Sequence, residues 1–271
     1  MIKLAIKLGF KTCILCFFLA ISAIAPVSGI SVSGFYLITE VAPGDHIRHV
    51  MTANIGDVTP TDMIAQINGC GTDPSGMRIA LNSDEDTSPY SAREFLKVSP
   101  ERARLESGKP AEFILEGDVP KDVGSGGRYA IVTIQTVPAG NGSVGVSAAI
   151  EVPIYLTIAD SDIIETGEII GLEITDNDDA LLADVTFKNT GNHHYKASAE
   201  ILLKDKNGEV VDRTVTPSDL DSTDSIIPTF SRHFQIYFDN EDLGHGAYTI
   251  VAIVTKEDGT VLDTEETTFE V

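Results

Sequence analysis

Apolar and polar residues alternate with a period of two along much of this chain. In "RHFQIYFDN", Phe234, Ile236 and Phe238 fall on one face and His233, Gln235 and Tyr237 on the other. "ADVTFKN" likewise sets Val185 beside Phe187. Such a period predicts half-buried antiparallel strands. "AEILLKDKNGEVVDRTV" and "VAIVTKEDGTVLDTEETTFEV" predict hairpins, with Asn207-Gly208 and Asp258-Gly259 supplying positive φ at the turns. Helical periodicity is nearly absent; "PYSAREFL" (Pro89 to Leu96) is the one candidate helical turn. The expectation is an all-β chain.

Two stretches occur twice in the same order. "HVMTANIGD" (His49 to Asp57) and "DVTFKNTGN" (Asp184 to Asn192) align without a gap at Val50/Val185, Asn54/Asn189 and Gly56/Gly191. "GRYAIVTI" (Gly127 to Ile134) and "GAYTIVAI" (Gly246 to Ile253) align at Gly, Tyr, Ile, Val and Ile. The second pair is apolar on both faces, as central strands of a sandwich are. Two ordered echoes predict two copies of one building block, with Asn and Gly serving the turns. Tyr129 and Tyr248, each near the start of a late strand, resemble the tyrosine corner of immunoglobulin-like sandwiches.

The expected organisation is a signal peptide over 1–29, two immunoglobulin-like antiparallel β-sandwiches over 30–158 and 169–271, and a linker over 159–168. The connector "ADSDIIETGE" (Ala159 to Glu168) is short and acidic, which suits limited hinging. Lys3, Lys7 and Lys11 precede the uncharged run Thr12 to Ala25, and "PVSG" follows with small residues near Gly29. That is the pattern of a secretory signal. Fourteen helical residues span only ~21 Å, short of a ~30 Å hydrocarbon core, so cleavage is favoured over retention as an anchor.

Composition then narrows the partners. The formal charge is −22; removing three lysines and no acid takes it to −25. Such a surface repels nucleic acid and anionic lipid headgroups. It reads first as a solvated face that keeps an exported protein soluble, and second as a cation-binding surface. No stretch after residue 30 is apolar enough to span a bilayer.

Candidate chemistry is sparse. "DNDD" (Asp176 to Asp179), "NSDED" (Asn82 to Asp86) and "DLDSTD" (Asp219 to Asp224) are acidic clusters, of which Asp176, Asp178 and Asp179 are the calcium candidates. None fits an EF-hand, since the twelfth residue from Asp176, Asp84 or Asp219 is Phe187, Phe95 or Phe230. His46 and His49 point to opposite faces of one strand, and His193-His194 have no third ligand near, so zinc is not expected. Outside the signal, Cys70 is the one cysteine, flanked by glycines in an expected loop. "NGS" at Asn141 is a glycosylation sequon. No catalytic or cofactor-binding residue is assigned.

Two family resemblances cover residues 35–271. "FKNTGN", "DKNG" and "LGHGAY" resemble the cell-adhesion-related, fibronectin type III-like domain of bacteria and archaea. "TANIGD", "FLKVSPERARLESGKPAEFILEGDVP" and "GGRYAIVTI" resemble the major-sperm-protein and pilus-chaperone type of sandwich. The second resemblance implies a basic pair that anchors a client's terminal carboxylate and an exposed strand that pairs with the client. Arg48 and Arg128 are the basic residues on strands predicted for the first domain. "SVGVSAAIEVPIYLTI" alternates Val144, Val146, Ala148, Ile150 and Val152. It reads first as a core-facing strand and second as an edge for strand addition.

The expected function is therefore non-enzymatic. First comes adhesion or surface-assembly contact, through loops and strand edges, with other surface or envelope proteins. The alternative is a pilus-type assembly chaperone that captures client strands. Carbohydrate recognition is a third reading, disfavoured because the chain has no Trp to stack on sugars. The expected address is secreted or extracellular, or retained at the cell surface.

Overall fold

The computed structural model describes residues 30–56, 59–137, 148–177, 180–220, 224–239 and 243–271. The expected signal peptide lies outside them. The first ten strands are β1 (Ile30–Ser33), β2 (Leu37–Val41), β3 (His46–Ile55), β4 (Thr61–Thr72), β5 (Arg78–Leu81), β6 (Leu96–Ser99), β7 (Arg102–Leu105), β8 (Ala111–Asp118), β9 (Gly127–Thr136) and β10 (Ala149–Ile158). They form two sheets, ordered β1-β3-β8-β6 and β2-β10-β9-β4-β5, with β7 added to β4. Met51, Phe113 and Leu115 from one sheet meet Ile134, Val152 and Ile154 from the other, all fully buried. Burying each such side chain contributes roughly 1.5–3 kcal/mol against the ordering entropy.

The remaining strands build a second sandwich: β11 (Gly167–Asn177), β12 (Ala180–Asn189), β13 (Ala197–Lys204), β14 (Val210–Thr216), β15 (Ser231–Asp239), β16 (Ala247–Lys256) and β17 (Val261–Glu270). Three strands, β11-β12-β15, face four, β14-β13-β16-β17. Val185, Phe187, Phe234, Ile236 and Phe238 pack against Ile201, Ile250 and Val254. The chain is thus all-β, in two immunoglobulin-like sandwiches; the one regular helical piece described is a 3-10 turn at Arg93–Phe95.

The sequence echoes fall on matching places. β3 lies between β1 and β8 as β12 lies between β11 and β15. β9 lies between β10 and β4 as β16 lies between β17 and β13.

The hairpins differ from expectation in one respect. Gly208 and Gly259 have φ of 81° and 88°, while Asn207 and Asp258 do not enter the left-handed region. In the first, Asp205 C=O accepts the Gly208 N–H at 2.9 Å, and its carboxylate accepts the N–H groups of Asn207 and Glu209. Each ladder shifts register beside its turn, at Leu203/Lys204 and Val254/Thr255. The result is a turn closed by one left-handed glycine and a bulge, so only that glycine needs positive φ.

Candidate functional site

Among the described residues, none pairs with the outer edge of the first half of β10. Both neighbours of this strand are known: β9 antiparallel along its whole length, and β2 parallel from Ile154↔Leu37 to Ile158↔Val41. The chain crosses from β1 in one sheet to β2 in the other at Gly34–Tyr36, so β2 begins too late to cover Ala149–Pro153.

Backbone parity shows what that edge offers. Thr136 N–H donates to Ala148 C=O and Ile158 N–H donates to Gly126 C=O. Even-numbered residues of β10 therefore point their backbone groups at β9, and odd-numbered ones point them away. Along the uncovered half, the N–H and C=O of Ala149 and Glu151 face outward, whereas the Pro153 C=O lies where the β2 ladder begins. Ala149 and Glu151 are exposed, Ile150 and Pro153 half-buried, and Val152 sits in the core. Beside this edge, Phe35, Tyr36 and Ile38 are 57%, 54% and 66% exposed. The Phe35 and Tyr36 rings meet edge to face, 5.0 Å apart. Ile38 is in register with Tyr155 and so projects from the same, outer face of the sheet.

The same outer face carries the junction with the second sandwich. Cys70, Tyr129, Ile131 and Tyr155 form a buried cluster with Ile227, against which Phe230 packs. Polar contacts frame it: Arg78 pairs with Asp224 at 3.2 Å, His233 N–H donates to Pro74 C=O at 2.8 Å, and Gly127 N–H donates to Asn192 C=O at 2.8 Å. The connector is also tied down. The Asn192 carboxamide accepts from Ile164 N–H and donates to Asp162 C=O, and Ser161 Oγ accepts the Gly126 N–H. The limited hinging expected of a short linker meets a junction held from both sides.

Several singled-out residues belong to this junction. Tyr129 O–H lies 3.1 Å from His194 Nδ1, whereas Tyr248 O–H donates to Gly244 C=O four residues back. The two tyrosines thus take different partners, one across the junction and one in its own loop. Asn189 is fully buried; its amide donates to His193 and Ile226 carbonyls and its oxygen accepts Gly191 N–H. Its echo Asn54 is exposed near the end of β3, with Gly56 just beyond.

Cys70 lies within β4, not in a loop. Its flanking glycines answer to close approach: a Cβ at Gly69 would stand 2.2 Å from the Asp86 carboxyl carbon, and one at Gly71 would meet Leu81 and Phe230. Strand glycines serve such contacts. Burial pushes the thiol pKa up to about 12, with Arg78 opposing.

The two candidates for a carboxylate anchor are placed differently. Arg48 is exposed on β3. Arg128 is buried, with its guanidinium donating to the carbonyls of Val123, Ser125 and Gly127 and lying over the Tyr90 ring. Of the calcium candidates, Asp176 is exposed at the end of β11, while Asp178 and Asp179 lie outside the described residues, as do Asn141, Val144 and Val146. Asp86 binds Arg93 at 3.1 Å and Asp224 binds Arg78. Among the described residues no three His, Cys, Asp or Glu side chains converge as metal ligands. Nor is any described helix long and apolar enough to cross a membrane.

No family model matches the chain, and no curated protein matches it. Solved structures do resemble it distantly. A chain of the chaperone–tip adhesin complex of CFA/I fimbriae is 10% identical over 89% of this chain and 98% of that one, with a TM-score of 0.45. The class 5 fimbriae chaperone CfaA is also 10% identical over the same shares, at 0.40. A chain of the Salmonella enterica SafA pilin–SafB chaperone complex is 10% identical over 90% and 98%, at 0.38.

Proposed function

We propose that this is a non-enzymatic, exported binding protein that captures an extended segment of another envelope or surface protein by strand addition along β10. The carrying observation is the uncovered half of that strand, whose Ala149 and Glu151 backbone groups face outward beside the Phe35–Tyr36–Ile38 patch. Main-chain bonds from such an edge supply affinity, and apolar contacts beside it supply selectivity. Glu151 and Pro153 are residues that blunt an edge, so only the short stretch Ala149–Glu151 offers paired main-chain groups to a partner. In this reading the protein works as an assembly chaperone, and Arg128, engaged by three backbone carbonyls, is not the anchor for a client carboxylate.

A substitution separates capture from folding. Glu151→Pro deletes an outward N–H without removing a bond to β9, and edge positions tolerate proline. Co-purification of the client with the exported protein is expected to be lost in Glu151→Pro, with thermal stability nearly unchanged. Undiminished co-purification would rule the edge out.

A second reading, adhesion through another edge, has its own observation. β14 borders its sheet and exposes Val210, Val211 and Val215 at 51%, 50% and 42%. Under that reading contact is made by the second sandwich, and Glu151→Pro has no effect.

A further inference from the structure

Two adjacent histidines carry the junction between the sandwiches. From the loop after β12, His193 Nε2 reaches Thr157 Oγ1 of β10 at 3.1 Å and its Nδ1 lies 3.3 Å from Glu165 of the connector. His194 inserts beside Tyr129 of β9 and Tyr155 of β10, with ring centroids 5.6 and 4.9 Å away. The Tyr129 oxygen accepts the His194 backbone N–H at 3.0 Å and lies 3.1 Å from His194 Nδ1. In the neutral imidazole that carries hydrogen on Nε2, Nδ1 accepts the phenol's single proton while the phenol oxygen accepts the His194 backbone N–H.

We propose that the junction is an acid-released latch: a proton on His194 puts a charge among the packed rings of Tyr129, Tyr155 and His193, takes away the acceptor of the Tyr129 O–H, and frees the second sandwich from the outer face of β9 and β10. The surroundings offer that proton little compensation. From β9 come Tyr129 and, behind it, Arg128; from β10 comes Tyr155; from β4 and β5 come Cys70 and Arg78, the latter over the Tyr155 ring at 5.9 Å. His193 stacks on His194 at 4.3 Å and adds a like charge when protonated. Glu165 is bound by Lys256 at 2.6 Å as well as by His193, and Lys256 also binds Asp258 at 3.0 Å; Tyr195, Lys196 and Glu257 line the same cavity as His194. On the far side of the junction, Asp224 is held by Arg78.

Burial, then the neighbouring His193, hold the His194 pKa at about 4, below the ordinary 6.5; Glu165 opposes this more weakly. The undocked imidazole therefore binds its proton first. Docking is fully present above pH 6.5 and weakens as the pH falls towards 4, by up to about tenfold per pH unit. The latch stands apart from the strand-addition reading, since it concerns how the two sandwiches hold each other and not what binds at the edge.

The test uses the full chain in small-angle scattering from pH 7.5 to 4, with amide exchange at Val132 and Val185 reporting that each core stays folded. The expected result is a rise in radius of gyration between pH 6 and 4, with both cores protected, and a rise that moves to lower pH or vanishes in His194→Gln. An unchanged profile down to pH 4, or the same transition in His194→Gln, overturns the proposal. A direct readout on the unaltered chain covers a variant that fails to fold: the His194 imidazole resonance is expected to titrate below pH 5.5, and titration at 6.5 in the docked protein overturns the latch.

Discussion

The phenol of Tyr129 and the backbone of His194 are joined by a 3.0 Å hydrogen bond that ties β9 of the first sandwich to the loop after β12 of the second. Tyr129 is also the residue that matches Tyr248 in the internal echo. Its hydroxyl bridges the sandwiches, while that of Tyr248 closes its own loop on Gly244.

Tyr129→Phe keeps the buried ring and removes the bridge. The His194 N–H is then left without its partner, at a cost of roughly 1–3 kcal/mol. A urea denaturation series at pH 7.5 measures it. A loss under about 0.5 kcal/mol contradicts the role given to this hydroxyl.

Two strand glycines are expected to respond differently to one added methyl group. Gly69→Ala drives a Cβ into the Asp86 carboxylate, which Arg93 and Ser91 hold in place. It is expected to lose about 1–3 kcal/mol. Gly171→Ala meets only Thr186, at an ordinary 3.6 Å. Its stability is expected to stay within about 0.5 kcal/mol of the parent chain. Equal effects in thermal melts would contradict the crowding assigned to Gly69.

Cys70 is expected to resist modification while the sandwiches are docked. With its pKa pushed up to about 12 by burial, it holds roughly a thousandfold less thiolate at pH 8 than an exposed cysteine. Alkylation followed by mass spectrometry should show no adduct on Cys70 in the native protein and a complete one in about 8 M urea. Rapid native alkylation would place the thiol at an open surface.

The strands were legible because burial on one face imposes a period of two, as at Phe234, Ile236 and Phe238. The paired echoes were legible because corresponding strands in the two sandwiches meet the same neighbours. Other features depend on distant contacts that no local window contains. The glycines around Cys70 look like a loop until Asp86 and Phe230 are seen pressing on β4. Arg128 looks like an available cation until its guanidinium is seen bonded to the carbonyls of Val123, Ser125 and Gly127. His193 and His194 look like loop residues with no ligand set, yet they bind Thr157 and Tyr129 in the other sandwich. The alternation in the β10 stretch allowed an edge reading, but which half of the strand lacks a neighbour is not written in it. It follows from where the chain crosses between sheets more than a hundred residues earlier, at Gly34–Tyr36.

The most direct test of strand capture places a photo-reactive amino acid at position 151 on the β10 edge and, in a separate chain, at position 211 on the β14 edge. Each exported protein is irradiated in its native envelope and its adducts are sequenced by mass spectrometry. The account predicts adducts from position 151, mapping to one extended client segment. Adducts from position 211 with none from position 151 would contradict it and move the binding surface to the second sandwich.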